Sequence, residues 1–161
     1  MNSETMLEVV VFNLGDNRYA VESEYVREVH PVTELTPLPC TPAFVAGIMN
    51  VRGDILAVID LRVFLDLPTD KSATLDHVII VESAETAFGI LTDATTETAS
   101  FPLRELEDSR PALAGIRGFF VQGVAHDRLI VLDLPGLSSD NRLLVHDQVM
   151  EKESGVVTEG A

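Results

Sequence analysis

The chain consists of short β-branched segments separated by turn residues and prolines, and this pattern constrains its fold more than any other feature. Residues 7–14 read LEVVVFNL, and GDN at 15–17 supplies residues that tolerate the backbone of a hairpin turn. Four prolines between residues 31 and 43 exclude a helix or a central strand there. Because no ten-residue helical period occurs before residue 137, the sequence predicts an all-β fold.

The remaining apolar segments predict further strands and hairpins. They are YVREVHPV at 25–32, FVAGIMNV at 44–51, ILAVIDL at 55–61, DHVIIVE at 76–82, AFGILTD at 87–93, TTETASF at 95–101, GFFVQGVA at 118–125 and RLIVLDL at 128–134. RVFLDL at 62–67 is long enough for one helical turn. Ser138, Ser139 or Asp140 can cap a terminal helix over 138–150, and 151–161 is expected to be a flexible acidic tail.

The two halves of the sequence repeat the same order of segments. FVAGIMN followed by ILAVIDL matches FVQGVA followed by LIVLDL, so that Gly47 corresponds to Gly123 and Asp60 to Asp133. Each aspartate precedes a leucine and is expected to cap a short helical segment after its strand. The repeated order predicts two small barrels of about five strands each, while one sandwich of about ten strands is the alternative.

The charge of the chain limits its classes of partner. The 161 residues include 26 acidic and 11 basic side chains, and the formal net charge is −15. Nucleic acids and anionic membranes bind clustered lysine and arginine, which the scattered bases of this chain do not provide. The amino terminus has no cationic region, and no apolar run approaches the ~20 residues of a membrane helix. We therefore expect a cytoplasmic protein with no nucleic-acid partner and no direct membrane insertion.

No sequence motif indicates catalysis, a metal or a cofactor. His30, His77, His126 and His146 lie far apart without metal-ligand spacing, and the chain has neither a GxSxG elbow nor a GxxxxGK loop. The single cysteine, Cys40, excludes an intramolecular disulfide. We expect a protein that is not an enzyme and that holds no cofactor. A small-ligand-binding or catalytic double β-barrel is the alternative of another class.

The segment 44–61 resembles the signature of the CheW-like coupling proteins of bacterial chemotaxis, in which Gly-x-x-Asn-x-Arg-Gly joins two apolar strands and Asp-Leu ends the second. The matching residues are Gly47, Asn50, Arg52, Gly53, Asp60 and Leu61. FNLGDNRYAVESEYVREV at 12–29 and FFVQGVAHDRLIVLDLPGL at 119–137 resemble the family's opening and closing hairpins. The resemblance covers roughly residues 8–137.

The resemblance implies two packed five-stranded SH3-like barrels, which we expect within a domain over residues 1–150. It implies a non-enzymatic adaptor that couples the cytoplasmic tip of a chemoreceptor, a methyl-accepting chemotaxis protein, to the regulatory domain of a histidine kinase. A coupling protein of a pilus or other non-swimming chemosensory system is the alternative. The kinase-contact residues stay unassigned.

The resemblance also implies a receptor-binding surface. Its expected members are the apolar residues Val26, Val29 and Met49 and the turn residues Asn50, Arg52 and Gly53. Asn50 and Gly53 also suit the left-handed backbone of a turn. A surface ion pair of Arg52 with Asp54 or Asp60 is the structural alternative, and such a pair contributes only about 0–1 kcal/mol.

The sequence departs from the family pattern at two places. Ala57 precedes Val58 where the family often has Val-Pro-Val before Asp-Leu. Phe64 and Leu65 stand where an aromatic residue and a glycine usually close the first half. We expect the second departure to affect the seam between the barrels and, through it, the affinity for the kinase.

Overall fold

The strands form at the apolar segments that the sequence predicts. A computed structural model describes residues 5–14, 17–65, 75–93, 96–107, 121–125 and 128–139. Its strands are β1 Met6–Leu14, β2 Asn17–Glu22, β3 Val26–Pro31, β4 Val45–Val51, β5 Asp54–Ile59, β6 His77–Ser83, β7 Thr86–Thr92, β8 Thr96–Pro102, β9 Val121–Ala125 and β10 Leu129–Leu132. Its helices are α1 Leu61–Phe64 and α2 Leu134–Ser138, and 3-10 turns occupy Ser23–Tyr25 and Leu103–Glu105.

The strands form two five-stranded sheets, in the orders β8-β1-β2-β10-β9 and β3-β6-β7-β5-β4. We name them the terminal barrel and the central barrel, because the first combines strands from both ends of the chain. In the terminal barrel, β2 of the antiparallel hairpin β1–β2 pairs in parallel with β10, the last strand of the second half. In the central barrel, β7 of the antiparallel hairpin β6–β7 pairs in parallel with β5, the last strand of the first half. The predicted repeat is therefore present in the structure, with β1–β5 equivalent to β6–β10.

The two barrels do not coincide with the two halves of the sequence. Each barrel combines a hairpin from one half with three strands from the other, because β1 pairs with β8 and β3 pairs with β6. The hairpin β1–β2 forms no ladder with β3, β4 or β5 in the described residues. Neither half can therefore complete a barrel alone, and the repeat is interleaved.

The connections that follow β3 and β8 close the two barrels. The N–H of Thr36 donates to the carbonyl oxygen of Ile48 in β4, and the N–H of Ile48 donates back, at 2.9 and 2.8 Å. Glu107 and Val124 of β9 exchange the same two bonds at 3.0 and 2.8 Å. Since β4 and β9 lie at the opposite edges from β3 and β8, these bonds join the edges of each sheet. Two five-stranded barrels are thus confirmed.

The matched glycines of the two halves lie where the barrels close. A Cβ on Gly47 would lie 2.6 Å from the carbonyl oxygen of Thr36. A Cβ on Gly123 would lie 2.7 Å from the carbonyl oxygen of Glu107. Backbone approaches backbone so closely at both positions that a side chain has no room, which explains the repeated glycine.

Both faces of the inner strands are buried. Along β1, Val9 and Val11 point into the terminal barrel, whereas Val10 and Phe12 point to the seam between the barrels. A sandwich strand buries one face, so this double burial distinguishes paired barrels from a single sandwich. We name the cluster at the seam the shared core, and those inside the barrels the terminal core and the central core. The shared core includes Phe12, Tyr19, Phe44, Ile59, Leu61, Phe64, Leu65, Ile79, Val81, Phe88, Ile90, Leu132, Leu134 and Leu137.

The two predicted aspartate caps are confirmed. A side-chain oxygen of Asp60 accepts a hydrogen bond from the N–H of Arg62 at 3.0 Å, at the start of α1. A side-chain oxygen of Asp133 accepts from the N–H of Gly136 at 3.1 Å, at the start of α2. The terminal helix predicted over 138–150 and the tail over 151–161 lie outside the described residues, apart from the end of α2. No helix within the described ranges is long and apolar enough to cross a membrane.

Candidate functional site

The turn between β4 and β5 holds Arg52 in an uncommon backbone conformation. Val51 pairs with Asp54, so Arg52 and Gly53 are the central residues of a two-residue hairpin loop. Their φ angles are 53° and 91°, and positive φ at both central positions defines a type I′ turn. The N–H of Gly53 donates to Oδ1 of Asn50 at 2.9 Å, which steadies the loop.

Arg52 does not stabilise the turn that it occupies. A left-handed backbone costs a side-chain-bearing L-residue about 1–2 kcal/mol, and asparagine or glycine is the usual choice there. The side chain of Arg52 is 78% exposed, and its guanidinium lies 3.3 Å from a carboxylate oxygen of Glu28. Glu28 is 23% exposed, but because the guanidinium itself lies largely in solvent, the pair contributes only about 0–1 kcal/mol, which does not offset the backbone cost. The exposed guanidinium therefore adds little to the stability of the fold and is available to a partner.

The contact with Glu28 connects β3 to the turn between β4 and β5. One carboxylate oxygen of Glu28 faces Arg52, and the other faces Nε2 of His30. The sequence suggested Asp54 or Asp60 as the partner of Arg52, but the structure places Glu28 beside it. Sequence reasoning missed Glu28 because β3 and this turn meet only when the central barrel closes.

Five of the six predicted receptor-binding residues are exposed or half-buried. On β3, Val26 lies opposite Val81 and Val29 lies opposite Ile79, and both partners belong to the shared core. Val26 is half-buried and Val29 is 38% exposed, so both lie at the margin of the seam. Met49 is buried in the central core. Its side chain packs inside the central barrel, and its contact with a receptor stays a prediction.

The carboxylates of Glu24 and Asp133 act electrostatically on Glu22, which ends β2. Burial raises the pKa of Glu22, and the charges of Glu24 and Asp133 raise it further. The pKa of Tyr25 is raised by burial, by its hydrogen bond with Glu24 and by the same three charges. Because the folded chain holds the Glu22 proton more tightly than the unfolded chain does, ionised Glu22 lowers the stability of the fold.

Glu22→Gln is expected to raise the free energy of unfolding at pH 7. The gain should shrink as the pH falls through the raised pKa and should vanish below the ordinary value of 4.5, where Glu22 is protonated in both states. Urea-induced unfolding of both proteins at pH 7 and pH 4 measures this difference. The exposed Glu34 provides the control, and an equal gain in Glu34→Gln would assign the effect to net charge instead.

Side chains with catalytic or metal-binding chemistry are dispersed. In the part of the chain that the structure describes, no three His, Cys, Asp or Glu side chains are placed to hold a metal ion. His30 and His77 lie on β3 and β6, each beside a carboxylate. Cys40 is exposed, and His126 and His146 lie outside the described residues.

Comparisons with known proteins agree with this fold. Residues 8–142 match the family model described as the CheW-like domain. The chain is 27% identical over 151 residues to the chemotaxis protein CheW of Treponema pallidum, covering 88% of this chain and 87% of that protein. It is 30% identical over 118 residues to the chemotaxis protein CheW of Rhizobium meliloti, covering 73% and 76%. The crystal structure of the scaffolding protein TtCheW from Thermoanaerobacter tengcongensis matches with a TM-score of 0.75 at 30% identity, covering 88% and 93%. The chain belongs to the CheW-like family.

Proposed function

We propose that this chain is a non-enzymatic adaptor of chemotaxis, which couples the cytoplasmic tips of chemoreceptors to the regulatory domain of a histidine kinase. Membership of the CheW-like family supports this role, since relatives are named chemotaxis proteins and a solved relative is named a scaffolding protein. An adaptor transmits a signal by holding its partners in one geometry, so it needs binding surfaces and no reaction centre. Its place of action is the cytoplasm, where the receptor tips lie.

The exposed guanidinium of Arg52 is the observation that carries the receptor-binding part of this proposal. The turn holds Arg52 at φ 53° with 78% of its side chain exposed. A planar guanidinium can donate several directed hydrogen bonds to carbonyl or carboxylate oxygens of a partner. Val26 and Val29 on the neighbouring β3 offer apolar contacts at the margin of the seam. We infer that the receptor tip contacts this turn together with β3.

Arg52→Asn is expected to weaken receptor binding about 10- to 100-fold, because it removes charge-assisted hydrogen bonds to the partner. The same change should leave the melting temperature unchanged or slightly higher, since asparagine suits the first central position of a type I′ turn better than arginine. Calorimetric titration of the full chain with a receptor-tip fragment measures the affinity, and thermal unfolding measures the stability.

Arg18 provides a matched control in the terminal barrel. Arg18 forms an ion pair with Glu97 on β8. Glu97 is the counterpart of Glu28, because Glu97 lies opposite Val11 in the terminal barrel and Glu28 lies opposite Ile80 in the central barrel. Arg18→Asn should break a comparable surface ion pair and leave receptor affinity unchanged. A large loss of stability in Arg52→Asn with intact affinity would refute the assignment, and so would equal losses of affinity in both variants.

A coupling role in a pilus or other non-swimming chemosensory system is the second candidate. Protein FrzA of Myxococcus xanthus and Protein PilI of Pseudomonas aeruginosa are also similar to this chain, although neither carries the name of a chemotaxis protein. The same docking surfaces would serve either output. Deletion of the gene, scored for swimming chemotaxis and for surface motility, separates the two candidates.

A further inference from the structure

The charged side chains of this chain are unbalanced both in number and in kind. The sequence has 26 acidic residues against 11 basic ones, and its formal net charge is −15. Nine of the bases are arginines and only two, Lys71 and Lys152, are lysines. A net charge this far from zero keeps a protein soluble but destabilises its compact state, because like charges are brought together when the chain folds. The stability of this fold therefore depends on how far the surrounding solvent weakens that repulsion.

The fold places the negative charge at the surface and leaves part of it without a basic partner. Every described carboxylate reaches solvent at least in part, because the buried polar side chains of the described residues are Ser83, Thr92 and Ser138. Some carboxylates are paired with arginine, and these ion pairs involve Arg18, Arg27, Arg52 and Arg62. Other carboxylates are exposed and form no ion pair with a basic side chain of the described residues, namely Glu8, Glu34, Glu85 and Glu107.

These exposed carboxylates are spread over the whole molecule. In the terminal barrel, Glu8 lies on β1 and Glu107 follows the 3-10 turn Leu103–Glu105. In the central barrel, Glu34 follows β3 and Glu85 lies in the turn between β6 and β7. A docking site for one basic partner would concentrate acidic groups on a single face, since charge complementarity is a property of the contact surface. The spread over both barrels instead indicates adaptation to the solvent around the protein.

Dissolved salt weakens repulsion of this kind. The effect of neighbouring carboxylates is evident at Glu22, whose pKa is raised by burial and then by the charges of Glu24 and Asp133. The distance over which exposed charges interact falls from about 10 Å in 0.1 M salt to about 3 Å in 1 M salt. Salts that are excluded from protein surfaces also strengthen apolar association, and lysine exposes an apolar stem that a short carboxylate lacks. The scarcity of lysine therefore fits the same salt-rich solvent as the excess of acid.

We propose that this chain is adapted to a cell interior with about 1 M or more of monovalent salt, and that its two barrels reach full stability only there. The inference does not rest on the proposed coupling function, because it follows from the charge and the exposure of the side chains. The cations act as a screening atmosphere around the protein rather than as ligands of one site. In such a solvent long-range attraction between charges is screened as well, so contacts with partners must depend on apolar packing and short hydrogen bonds.

Thermal unfolding of the intact chain in potassium chloride tests the proposal. We expect the melting temperature at pH 7 to rise by about 10 °C between about 0.1 M and about 2 M salt. The rise should be steepest below about 1 M, where most of the screening develops, and sodium chloride should have the same effect. An unchanged or lower melting temperature in concentrated salt would overturn the proposal. A rise that is complete at millimolar salt, or that occurs with only one of the two cations, would also overturn it, because either result indicates a specific ion site.

Two matched variants separate screening from the general effect of salt on apolar packing. The first combines Glu8→Gln, Glu34→Gln, Glu85→Gln and Glu107→Gln, which removes negative charge from four exposed positions. The second combines Glu8→Asp, Glu34→Asp, Glu85→Asp and Glu107→Asp, which keeps the charge at the same positions. The rise in melting temperature with salt should shrink to about half in the glutamine variant, because repulsive energy varies with the product of the charges, and it should be unchanged in the aspartate variant.

Equal rises in the two variants would refute screening as the cause and overturn the proposal. The readout is the change in melting temperature between low and high salt, so a constant difference in stability between the variants does not affect it. If a variant is not folded, the dependence of the unmodified chain on salt concentration decides, since screening is largely complete by about 1 M whereas the strengthening of apolar packing continues to grow.

Discussion

Gly47→Ala is expected to lower the free energy of unfolding by about 3 kcal/mol or more, since overpacking and a strained backbone each cost about 1–3 kcal/mol. The new Cβ would lie 2.6 Å from the carbonyl oxygen of Thr36, and φ at this position is 155°. The obstructing atom belongs to the backbone and is fixed by the two hydrogen bonds that close the central barrel. Denaturant-induced unfolding of both proteins measures the loss.

Gly53→Ala is the control for this prediction. Gly53 also has a positive φ, 91°, but apart from residues 52–54 no atom of the described chain lies within 4 Å of the position that its Cβ would take. Gly53→Ala should therefore lower the free energy of unfolding only by the cost of a left-handed backbone, about 1–2 kcal/mol. Gly123→Ala should reproduce the larger loss, because its Cβ would lie 2.7 Å from the carbonyl oxygen of Glu107. Equal losses at Gly47 and Gly53 would contradict the role of close approach in barrel closure.

Phe64→Ala is expected to destabilise the whole molecule by about 3–5 kcal/mol, the usual effect of removing a buried phenyl ring. Phe64 is 3% exposed in the shared core, and its ring packs edge-on against Phe44 at a centroid distance of 4.9 Å. Because the shared core contains side chains from both barrels, its loss should weaken both. We expect the two barrels to unfold in a single transition at lower denaturant concentration.

Methyl signals from each barrel test this expectation separately. Val131 reports on the terminal core and Val58 on the central core. Within each protein the two signals should disappear together, and in Phe64→Ala they should do so at a lower denaturant concentration than in the unmodified chain. Val63→Ala, a change at the neighbouring exposed position, should cost less than about 0.5 kcal/mol. Two separate transitions, with the terminal barrel unaffected, would contradict a shared core that couples the barrels.

Local structure was predictable from the sequence because it depends on neighbouring residues. Strand β1 follows from a run of β-branched residues, and the cap of α1 follows from Asp60, the residue directly after β5. The sequence also indicated that Gly47 and Gly123 occupy equivalent positions in the two halves. The structure gives the reason for these glycines, which is the close contact between backbones where each barrel closes.

Long-range pairing was not predictable in the same way. Nothing in residues 6–14 specifies that β1 should pair with β8 rather than with β3, because its apolar side chains could be buried on both faces in either pairing. The partner of Arg52 depends on that choice, since Glu28 reaches the turn only in a closed central barrel.

The structure shows where the second departure from the family pattern, at Phe64 and Leu65, lies in the fold. Both side chains are buried in the shared core, at 3% and 4% exposure. Leu65 therefore adds a large apolar group to the seam where the resembling family usually has glycine. The effect of this seam on kinase affinity stays a prediction, and binding measurements with the kinase regulatory domain and Leu65→Gly test it.

Interleaving has a consequence for biosynthesis. The central barrel consists of one continuous stretch between Val26 and Thr92, whereas the terminal barrel needs strands from both ends of the chain. Leu14 and Thr96, which end β1 and begin β8, are 82 positions apart, so at about 5–20 residues per second the ribosome needs roughly 4–16 seconds to supply the partner. During that interval the first hairpin leaves the ribosome with an apolar edge still uncovered. We expect chaperones to be needed most in this window, because until β8 is made the apolar side chains of β1 stay incompletely buried.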